Sequence, residues 1–580
     1  MDKDIGRIVE VRGVNVKAKL FKLLPPYLVN EGKVVSAPKI NSFVKAKVGL
    51  DTIICQINGE YNLEKDSTLS DYYIDLTVKG YIENDKFIQG LRMLPIVSSN
   101  ISLLSNKEYS IIYDYDKSVS FKIGMDLFEI NKGVYLNFNN LIPSHIGIFG
   151  NTGSGKSNTL SNIYSNYLKK INAYDNCNAK VLLFDLNNEY GHNSICREQD
   201  KRVYKLSTSK ESNRKIPFDF KCIDEDVMCT LLNASAKTQT PTIKVAYKQM
   251  TKKYDENYYV NYITNIIDNK QKDLFFPIRF RLSDYIENIQ EIKWFGKKEN
   301  QNFYIERENG TWLWADDKLF KDDVINKIKI ILPEDPLDRF EFELCFAIAK
   351  QCDHGINAEF LLPLLNRADK IFYDLHKVMD FNDTSDLFDN KNLCVIQLGE
   401  VNNDMTLIIP SLLSNVIFNN QVKLKDESKI NTVVNIVLDE AHNILFKDED
   451  SILQSRVLYN FERIVKEGRK FGLFLTVSSQ RPSDISSTVI SQLHNYFIHK
   501  LVNPNDIYQI RKTVAFLDES ALNFLTILAP GECIVSGTAV NMPIFLKVDE
   551  LDKETKPNSE GVVLFGENGI IKQKKEDKCE

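Results

Sequence analysis

The sequence predicts an α/β protein: a mainly parallel sheet covered by helices, preceded by a small β-barrel and interrupted by a helical insertion. Two observations predict this fold class. From about residue 121, continuous apolar runs such as HIGIFG and KVLLFDL alternate with helical segments, a pattern typical of parallel strands buried between helices. Before that point, short apolar runs such as GRIVEVRG and FVKAKVGL are separated by turns, which favours a small barrel or sandwich. The alternative for this region is a few strands attached to the main sheet.

The same patterns divide the chain into segments. The insertion is predicted to be mainly helical because DEDVMCTLLNAS and RFEFELCFAIAKQ carry apolar residues at three- and four-residue spacing. The last residues, KQKKEDKCE, are strongly charged, which is typical of a disordered tail. The predicted boundaries are 1–115 for the barrel, 116–221 for the first part of the sheet domain, 222–390 for the insertion, 391–552 for the second part and 553–580 for the tail.

The bulk composition excludes some classes of protein. The formal net charge is −6, so the chain has no general basic surface for nucleic acid, and any DNA contact must come from a local basic patch. The ten cysteines are scattered without a CxxC pair, which fits free thiols in a reducing cytosol. No run of about eighteen apolar residues occurs in the sequence. We therefore expect a cytoplasmic protein without membrane insertion.

A phosphate-binding loop is the most specific motif. The segment GNTGSGKS fits GxxxxGK[ST] without a mismatch, and it follows the apolar run HIGIFG and precedes a helical pattern. Its glycines let backbone N–H groups turn toward phosphates, Lys156 can reach the β- and γ-phosphates, and the Ser157 hydroxyl can ligate Mg²⁺. The segment therefore predicts Mg-ATP binding by Gly150, Asn151, Thr152, Gly153, Ser154, Gly155, Lys156, Ser157 and the next helical residue, Asn158.

Two later strands end in polar residues that suit the same site. The apolar strand NIVL ends in Asp439 and Glu440; the first suits the Mg²⁺ shell, and the second suits polarising the attacking water. The alternative is a pair of carboxylates that merely close a buried strand. The strand FGLFLTVSSQ ends at Gln480, whose amide could sense the γ-phosphate or hold the water. Its alternative is a surface amide.

Two further groups are candidates. Arg469 and Lys470 precede the Gln480 strand, and a cation there could reach the nucleotide of a neighbouring subunit and stabilise transition-state charge, which requires a ring. A solvated basic turn is the alternative. Asp185 ends the strand VLLFD, and Glu189 follows four residues later. Both suit a place beside the γ-phosphate or Mg²⁺, and a simple cap on the next element is the alternative.

In the order of its motifs the sequence resembles the HerA family, which is similar to the FtsK translocases. The resemblance rests on GNTGSGKSNT, DLNNEY, LDEAHN, EGRKFG, SSQRPSDIS, TVISQLHN, KLVNPND and PGECIVSG. It implies a RecA-like P-loop ATPase core behind a HAS-type N-terminal barrel. It also implies phosphate and Mg²⁺ contacts by Lys156 and Ser157, Mg²⁺ and water activation by Asp439 and Glu440, and Gln480 as sensor. Arg469 is implied as the trans-acting arginine.

One departure concerns a second cation. Many relatives carry Arg-His shortly before the phosphate-binding loop, whereas this chain has Ser144-His145. A second cationic contact to the nucleotide is therefore missing or supplied elsewhere.

The resemblance also implies a function: a homo-hexameric ATPase and helicase that pumps double-stranded DNA. Relatives work with a separate effector, a nuclease or a sirtuin-type NAD-consuming enzyme, docked on the barrel end of the ring. The biological setting would be DNA end processing or anti-phage defence. Two alternatives remain: an ATP-switched hexameric scaffold that activates an effector without translocation, and a conjugation or export motor. The segment with Arg197, Lys201 and Arg202 is a candidate DNA-contacting loop, with a solvated basic loop as its alternative.

Overall fold

The structure is a computed structural model of the chain. It describes residues 4–558 apart from 31, 50, 67–68, 91, 114–115, 117, 130–131, 174–177, 253, 298–299, 324–327, 428–431, 449–450, 515–516, 518 and 553. Most of the predicted tail, residues 553 and 559–580, lies outside the described residues.

The N-terminal segment forms a closed β-barrel. Its elements are β1 (Asp4–Arg12), β2 (Asn15–Leu20), β3 (Tyr27–Asn30), β4 (Lys33–Ser36), β5 (Phe43–Val48), β6 (Asp51–Asp66), β7 (Leu69–Glu83), β8 (Lys86–Gln89), β9 (Asn100–Leu103) and α1 (Asn106–Ile112). Six strands pair in the order β2-β1-β9-β5-β6-β7. The barrel is closed because β7 also pairs with β2, where Leu76 lies opposite Val16. Alternate side chains such as Ile8, Val44 and Ile53 fill the barrel interior.

A RecA-like core follows, in two parts separated by the insertion. The first part contains β10 (Ser120–Asp126), β11 (Gly133–Asn137), α2 (Phe138–Leu141), β12 (Ile146–Phe149), α3 (Lys156–Ile171), β13 (Ala179–Asp185) and β14 (Arg202–Ser207). Between the two parts lie β15 (Ile216–Pro217), α4 (Glu225–Leu231), α5 (Gln239–Met250), α6 (Glu256–Asp268), α7 (Lys272–Leu282), β16 (Lys293–Lys297), β17 (Asn300–Glu306), β18 (Trp312–Trp314), α8 (Lys318–Asp323), α9 (Pro336–Asp353), α10 (Leu362–Val378) and β19 (Met379–Asp380). The second part contains β20 (Leu393–Glu400), α11 (Asn403–Asp426), β21 (Val433–Leu438), α12 (Ile452–Glu467), β22 (Leu473–Ser479), α13 (Ser487–Ser491), β23 (Asn495–His499), α14 (Pro504–Thr513), α15 (Glu519–Phe524), β24 (Glu532–Gly537) and β25 (Ile544–Val548).

The core sheet has eleven strands in the order β11-β10-β25-β24-β23-β12-β22-β21-β13-β20-β14. The strands from β23 to β14 in this order are mutually parallel, whereas β24, β25, β10 and β11 extend the sheet by antiparallel pairing. Along β13, Leu182 and Phe184 enter one hydrophobic core, and Val181 and Leu183 enter another. Helices therefore cover both faces, which is why these strands read as continuous apolar runs.

The predicted fold class is confirmed: a RecA-like α/β core with an N-terminal barrel and a helical insertion. The insertion also contains a three-stranded antiparallel sheet, β16-β17-β18, which the helical periodicity did not predict. Its helices pack into the larger core together with one face of the main sheet, for example Ile243, Phe340 and Leu365. Among the described residues, none of the helices combines the length and apolar character needed to cross a membrane.

Candidate nucleotide-binding site

The phosphate-binding loop lies where the topology of the sheet predicts a ligand site. Strand β12 is central, between β22 and β23, and the loop leaves its carboxyl end and enters α3. Gly150 and Gly155 adopt φ of +156° and +112°, values that side chains rarely tolerate. A Cβ at Gly150 would lie 2.5 Å from His499 Cβ, and one at Gly155 would lie 3.0 Å from Gly531 Cα. Backbone geometry and crowding therefore both require glycine in this loop.

Lys156 is held inside the loop. It is the first residue of α3, its side chain is buried, and its Nζ donates to the Asn151 carbonyl oxygen at 3.3 Å. Burial lowers the pKa of Lys156, and the nearby carboxylates of Glu440 and Asp439 partly oppose this. A buried ammonium group that is poorly hydrated is stabilised by a phosphate partner. The amino end of α3 adds its partial positive charge at the same place.

Asp439 follows the last residue of β21 and is almost fully buried. Burial, together with the adjacent Glu440 and Glu189, raises the pKa of the Asp439 carboxyl to about 8. Its backbone N–H donates to the Phe184 carbonyl oxygen at 3.1 Å, which holds the strand end against β13. A buried carboxyl group surrounded by other acids requires a cation before it ionises at neutral pH.

Glu440 has an unusual backbone for a non-glycine residue, with φ of +46° and ψ of +44°. Its Oε2 is buried, has no hydrogen-bond partner among the residues that the structure describes, and lies 3.4 Å from His442 Nδ1. Backbone strain of this kind is concentrated at functional sites, because surrounding structure must maintain it. The turn after β21 thus directs a carboxylate into the pocket beside Lys156.

The structure brings Gln480 to the phosphate-binding loop. The residue follows β22, and its Oε1 accepts a hydrogen bond from the Thr152 hydroxyl. Because β22 and β12 are parallel neighbours, the ends of both strands lie at the same edge of the sheet. The amide therefore contacts the loop that would hold the phosphates, rather than solvent alone.

Asp185 and Glu189 have different surroundings. The Asp185 carboxylate is fully buried and accepts from the backbone N–H groups of Glu189 and Tyr190, both at 2.9 Å, and from the Gln397 amide at 3.2 Å. It therefore acts as the cap that sequence reasoning held as the alternative. Glu189 lines the pocket with Ser157 and Glu440, and burial raises the pKa of its carboxyl group.

Arg469 and Lys470 lie outside the pocket of their own chain. They are exposed in the turn between α12 and β22. This turn is at the amino edge of the parallel strands, and the phosphate-binding loop is at the carboxyl edge. The seven residues of β22 separate the two edges by about 20 Å, at roughly 3.3 Å per residue. Among the described residues, no carboxylate pairs with Arg469.

Several pocket residues were not predicted from the sequence. The segment between α15 and β24 crosses the loop, where the Gly531 N–H donates to the Ser154 carbonyl oxygen at 2.9 Å. Asn158, which was predicted, joins α3 to the chain after β25 by donating to the Asp549 carbonyl oxygen at 3.1 Å. The unpredicted pocket residues are Asn187, Pro530, Gly531, Lys547, Val548, Glu550, Lys556 and Pro557. The available signals were the motifs PGECIVSG, which contains Pro530 and Gly531, and DLNNEY, which contains Asn187.

Lys547 and Lys556 supply cations at the pocket. Ser144-His145, the position where many relatives carry Arg-His, supplies no cation to the pocket. His145 is buried at the amino end of β12, where its Nδ1 accepts from the Leu475 N–H at 2.9 Å.

The pocket fits a magnesium nucleotide. It is a cavity of about 320 Å³ with the loop on one side and Glu189 and Glu440 on the other. Buried Ser154 Oγ, Glu189 Oε2 and Glu440 Oε2 have no hydrogen-bond partner in the described part of the chain, and such atoms normally have one. A hydroxyl at Ser157 and a carboxylate at Asp439 are oxygen ligands that suit Mg²⁺ and its water shell.

A glycine-rich loop between strand and helix, an acidic strand end and a polar residue on the neighbouring strand together define a P-loop NTPase. The chain belongs to the HerA helicase family, because the family described as "Helicase HerA, central domain" matches residues 121–417. This confirms the family that the motifs indicated.

Relatives extend over most of the chain. The DNA double-strand break repair helicase HerA of Sulfurisphaera tokodaii is 25% identical over 488 residues, 83% of this chain and 79% of the relative. The DNA double-strand break repair helicase HerA of Sulfolobus acidocaldarius is 23% identical over 523 residues, which cover 90% of this chain and 81% of the relative. Among solved structures, VirB4 of Thermoanaerobacter pseudethanolicus is similar with a TM-score of 0.45 and 13% identity, covering 76% of this chain and 98% of that one.

Proposed function

We propose that the protein is an ATP-driven hexameric motor that translocates double-stranded DNA and hydrolyses Mg-ATP at its subunit interfaces. It works with a separate effector, a nuclease or a sirtuin-type NAD-consuming enzyme, in DNA end processing or anti-phage defence. The observation that carries the proposal is the split between the pocket and Arg469. A complete phosphate-binding loop and Glu440 lie at one edge of the sheet, and Arg469, exposed and with no carboxylate partner in the described ranges, lies at the other.

This split favours a ring. Arg469 is about 20 Å from the loop of its own chain, by the length of β22. A head-to-tail arrangement places the amino edge of one sheet against the carboxyl edge of the next, and such contacts close into rings. In that arrangement Arg469 reaches the γ-phosphate of its neighbour and stabilises transition-state charge. Lys470 stands beside it as a second cation.

The proposed roles within one pocket follow from position. Lys156 and the loop N–H groups would bind the phosphates, and Ser157 and Asp439 would hold Mg²⁺, which would supply charge neutralisation at the phosphate oxygens. Glu440 accepts the proton of the attacking water, and Gln480, which contacts Thr152 in the loop, holds that water or senses the γ-phosphate. Asn158 and Glu189 complete the pocket wall.

Contacts to duplex DNA would be made to phosphates, and binding would weaken with salt. The loop candidate needs revision, because Lys201 is buried and its Nζ donates to the carbonyl oxygens of Tyr190 and Ser194 at 2.7 and 2.8 Å. Arg202 pairs with Asp389 at 3.0 Å. Arg197 also pairs with a carboxylate, Asp200 at 2.9 Å, but its side chain is 72% exposed, whereas that of Arg202 is 18% exposed; Arg197 is therefore the candidate that DNA could reach.

The barrel supports the proposed effector contact. A cavity of about 430 Å³ opens beside β1, β6 and β7, lined by apolar side chains that include Leu20, Leu24 and Ile57. Next to it, Phe21, Leu23 and Tyr27 are 57%, 63% and 61% exposed. Exposed apolar side chains beside an apolar-lined cavity favour a protein partner.

The first test is the ATPase rate of protein of known oligomeric mass, with and without linear duplex DNA, at low and high salt. A DNA motor predicts stimulation that falls with salt. A hexamer that is indifferent to duplex DNA contradicts translocation and favours the ATP-switched scaffold. The scaffold has support of its own, since the net charge is −6 and Lys201 is withdrawn from solvent.

Mixing two inactive variants tests the ring. Lys156→Ala removes the phosphate contact within a subunit, and Arg469→Ala removes the proposed contact to the neighbour. Random mixing in equal amounts gives about one interface in four with an intact loop facing an intact arginine, if the interfaces are head-to-tail. Activity that returns on mixing supports the shared site. A mixture as inactive as its components assigns Arg469 to its own chain or to structure.

A further inference from the structure

His442 lies between the two strand ends that form the site. It follows β21 by four residues, in the turn that Glu440 begins. Its Nδ1 is 3.4 Å from Glu440 Oε2 and 3.2 Å from the Ser479 hydroxyl at the end of β22. The side chains of His442 and Glu440 are only 11% and 14% exposed, so water replaces these contacts poorly.

The surroundings favour one tautomer. Ser479 Oγ already accepts from the Arg481 N–H at 3.0 Å and still has a lone pair for another donor. Glu440 Oε2 has no hydrogen-bond partner among the described residues, and His442 Nδ1 approaches it to 3.4 Å. A proton on His442 Nδ1 serves both oxygens, whereas an unprotonated Nδ1 would oppose a carboxylate.

We infer that His442 is a positioning residue for Glu440. Its Nδ1–H fixes the orientation of the carboxylate that takes the proton from water, and its contact with Ser479 ties that carboxylate to β22. The next residue of the same strand end, Gln480, contacts Thr152 in the phosphate-binding loop. The carboxyl end of β22 therefore contacts both His442, which positions the proposed base Glu440, and the phosphate-binding loop. This inference rests on the proposed role of Glu440.

The test is ATP turnover by the full chain, with kcat and KM measured separately. His442→Leu fills the space but removes the donor, and we expect kcat to fall about 10- to 100-fold, the usual cost of losing a group that orients a catalytic one. KM for ATP and the nucleotide-induced thermal shift should stay within about twofold, because the polar contacts of His442 among the described residues are with Glu440 and Ser479 rather than with the phosphate-binding loop. His442→Asn places an amide N–H where Nδ1 lies and should recover most of the loss.

Further variants make each outcome decisive. His354→Leu changes an exposed histidine at the end of α9 and should leave both constants unchanged. Ser479→Ala should lower kcat less than His442→Leu, and the double variant should resemble His442→Leu alone. This second series still tests the inference if His442→Leu folds poorly.

Three results would overturn the inference: an unchanged kcat in His442→Leu, an increase confined to KM, or an Asn variant as impaired as the Leu variant while equally stable. Glu440→Gln, measured in parallel, distinguishes a failure of the proposed role of Glu440 as base from a failure of the positioning role of His442. If Glu440→Gln still hydrolyses ATP normally, the proposed base is wrong. If it stalls while His442→Leu is normal, only the positioning role fails.

Discussion

Replacing Asp439 by Asn should stabilise the nucleotide-free protein at neutral pH while weakening its response to Mg-ATP. The pKa of the Asp439 carboxyl group is raised from 3.8 to about 8, mainly by burial. A raised pKa means that the folded state holds the proton more tightly than the unfolded chain does. The contribution of the protonated Asp439 carboxyl group to the free energy of unfolding is therefore complete below about pH 4, and it is lost progressively as the pH rises toward 8. Asn has the same shape and does not ionise.

The size of the effect follows from the same two values. For each pH unit between the unfolded and folded pKa values of Asp439, the free energy of unfolding of the wild type falls by about 1.36 kcal/mol. Ionisation of Asp439 in the unfolded chain therefore lowers stability at pH 7 by at most about 4 kcal/mol. Relaxation of the turn and entry of water reduce this figure. Between pH 5 and pH 8 the midpoint of the Asn variant should therefore rise steadily relative to that of the wild type.

Thermal unfolding in buffers from pH 5 to 8, with and without Mg-ATP, measures both effects. Asp389→Asn is the matched control, since Asp389 is an exposed partner of Arg202 and should give a midpoint difference that does not grow with pH. Mg-ATP should raise the midpoint of the wild type more than that of Asp439→Asn. The reasoning fails if the Asn variant is less stable at pH 8, or if the difference between variant and wild type is the same at pH 5 and pH 8.

Other predictions concern the pocket. Lys156→Ala should abolish ATP turnover by removing a phosphate contact, and normal turnover in a coupled ATPase assay would contradict the assignment. Glu440→Gln should bind ATP, measured by fluorescent-nucleotide titration, yet stall hydrolysis; unchanged hydrolysis would place the base elsewhere. Gly155→Ala should weaken nucleotide binding at least tenfold, because its Cβ would lie 3.0 Å from Gly531 Cα at a φ of +112°. Retained affinity would show that the loop can relax.

Much of the site was predictable because it depends on local rules. The loop from Gly150 to Ser157 carries its own sequence signature, and parallel strands place their carboxyl ends at one edge of the sheet. These two facts bring Asp439 and Gln480 to the loop, and the structure places them there. The barrel was equally readable from alternating strands, although its closure by β2 and β7 was not.

The rest depends on contacts between distant parts of the chain. Asp185 looked like a ligand for the same reason as Asp439, yet the turn that follows uses its carboxylate for two backbone N–H groups. Lys201 looked solvated, because no local pattern shows that two carbonyl oxygens enclose its ammonium group. Gly531 reaches the loop only after more than 370 intervening residues, so neither spacing nor periodicity could predict that contact.

Strand β22 connects two sites in the ring that we propose. Arg469 precedes this strand and Gln480 follows it, so each end serves a different nucleotide. The strand is buried along its whole length, and it is fixed midway where the Tyr164 hydroxyl bonds to Thr476 at 2.7 Å and where Leu475 donates to His145. A buried, extended strand with partners on both sides cannot change its length appreciably. Arg469 and Gln480 are therefore expected to move together with the core, and in the proposed ring coupling between neighbouring sites would occur by rotation of whole cores across the interface rather than through a separate moving loop.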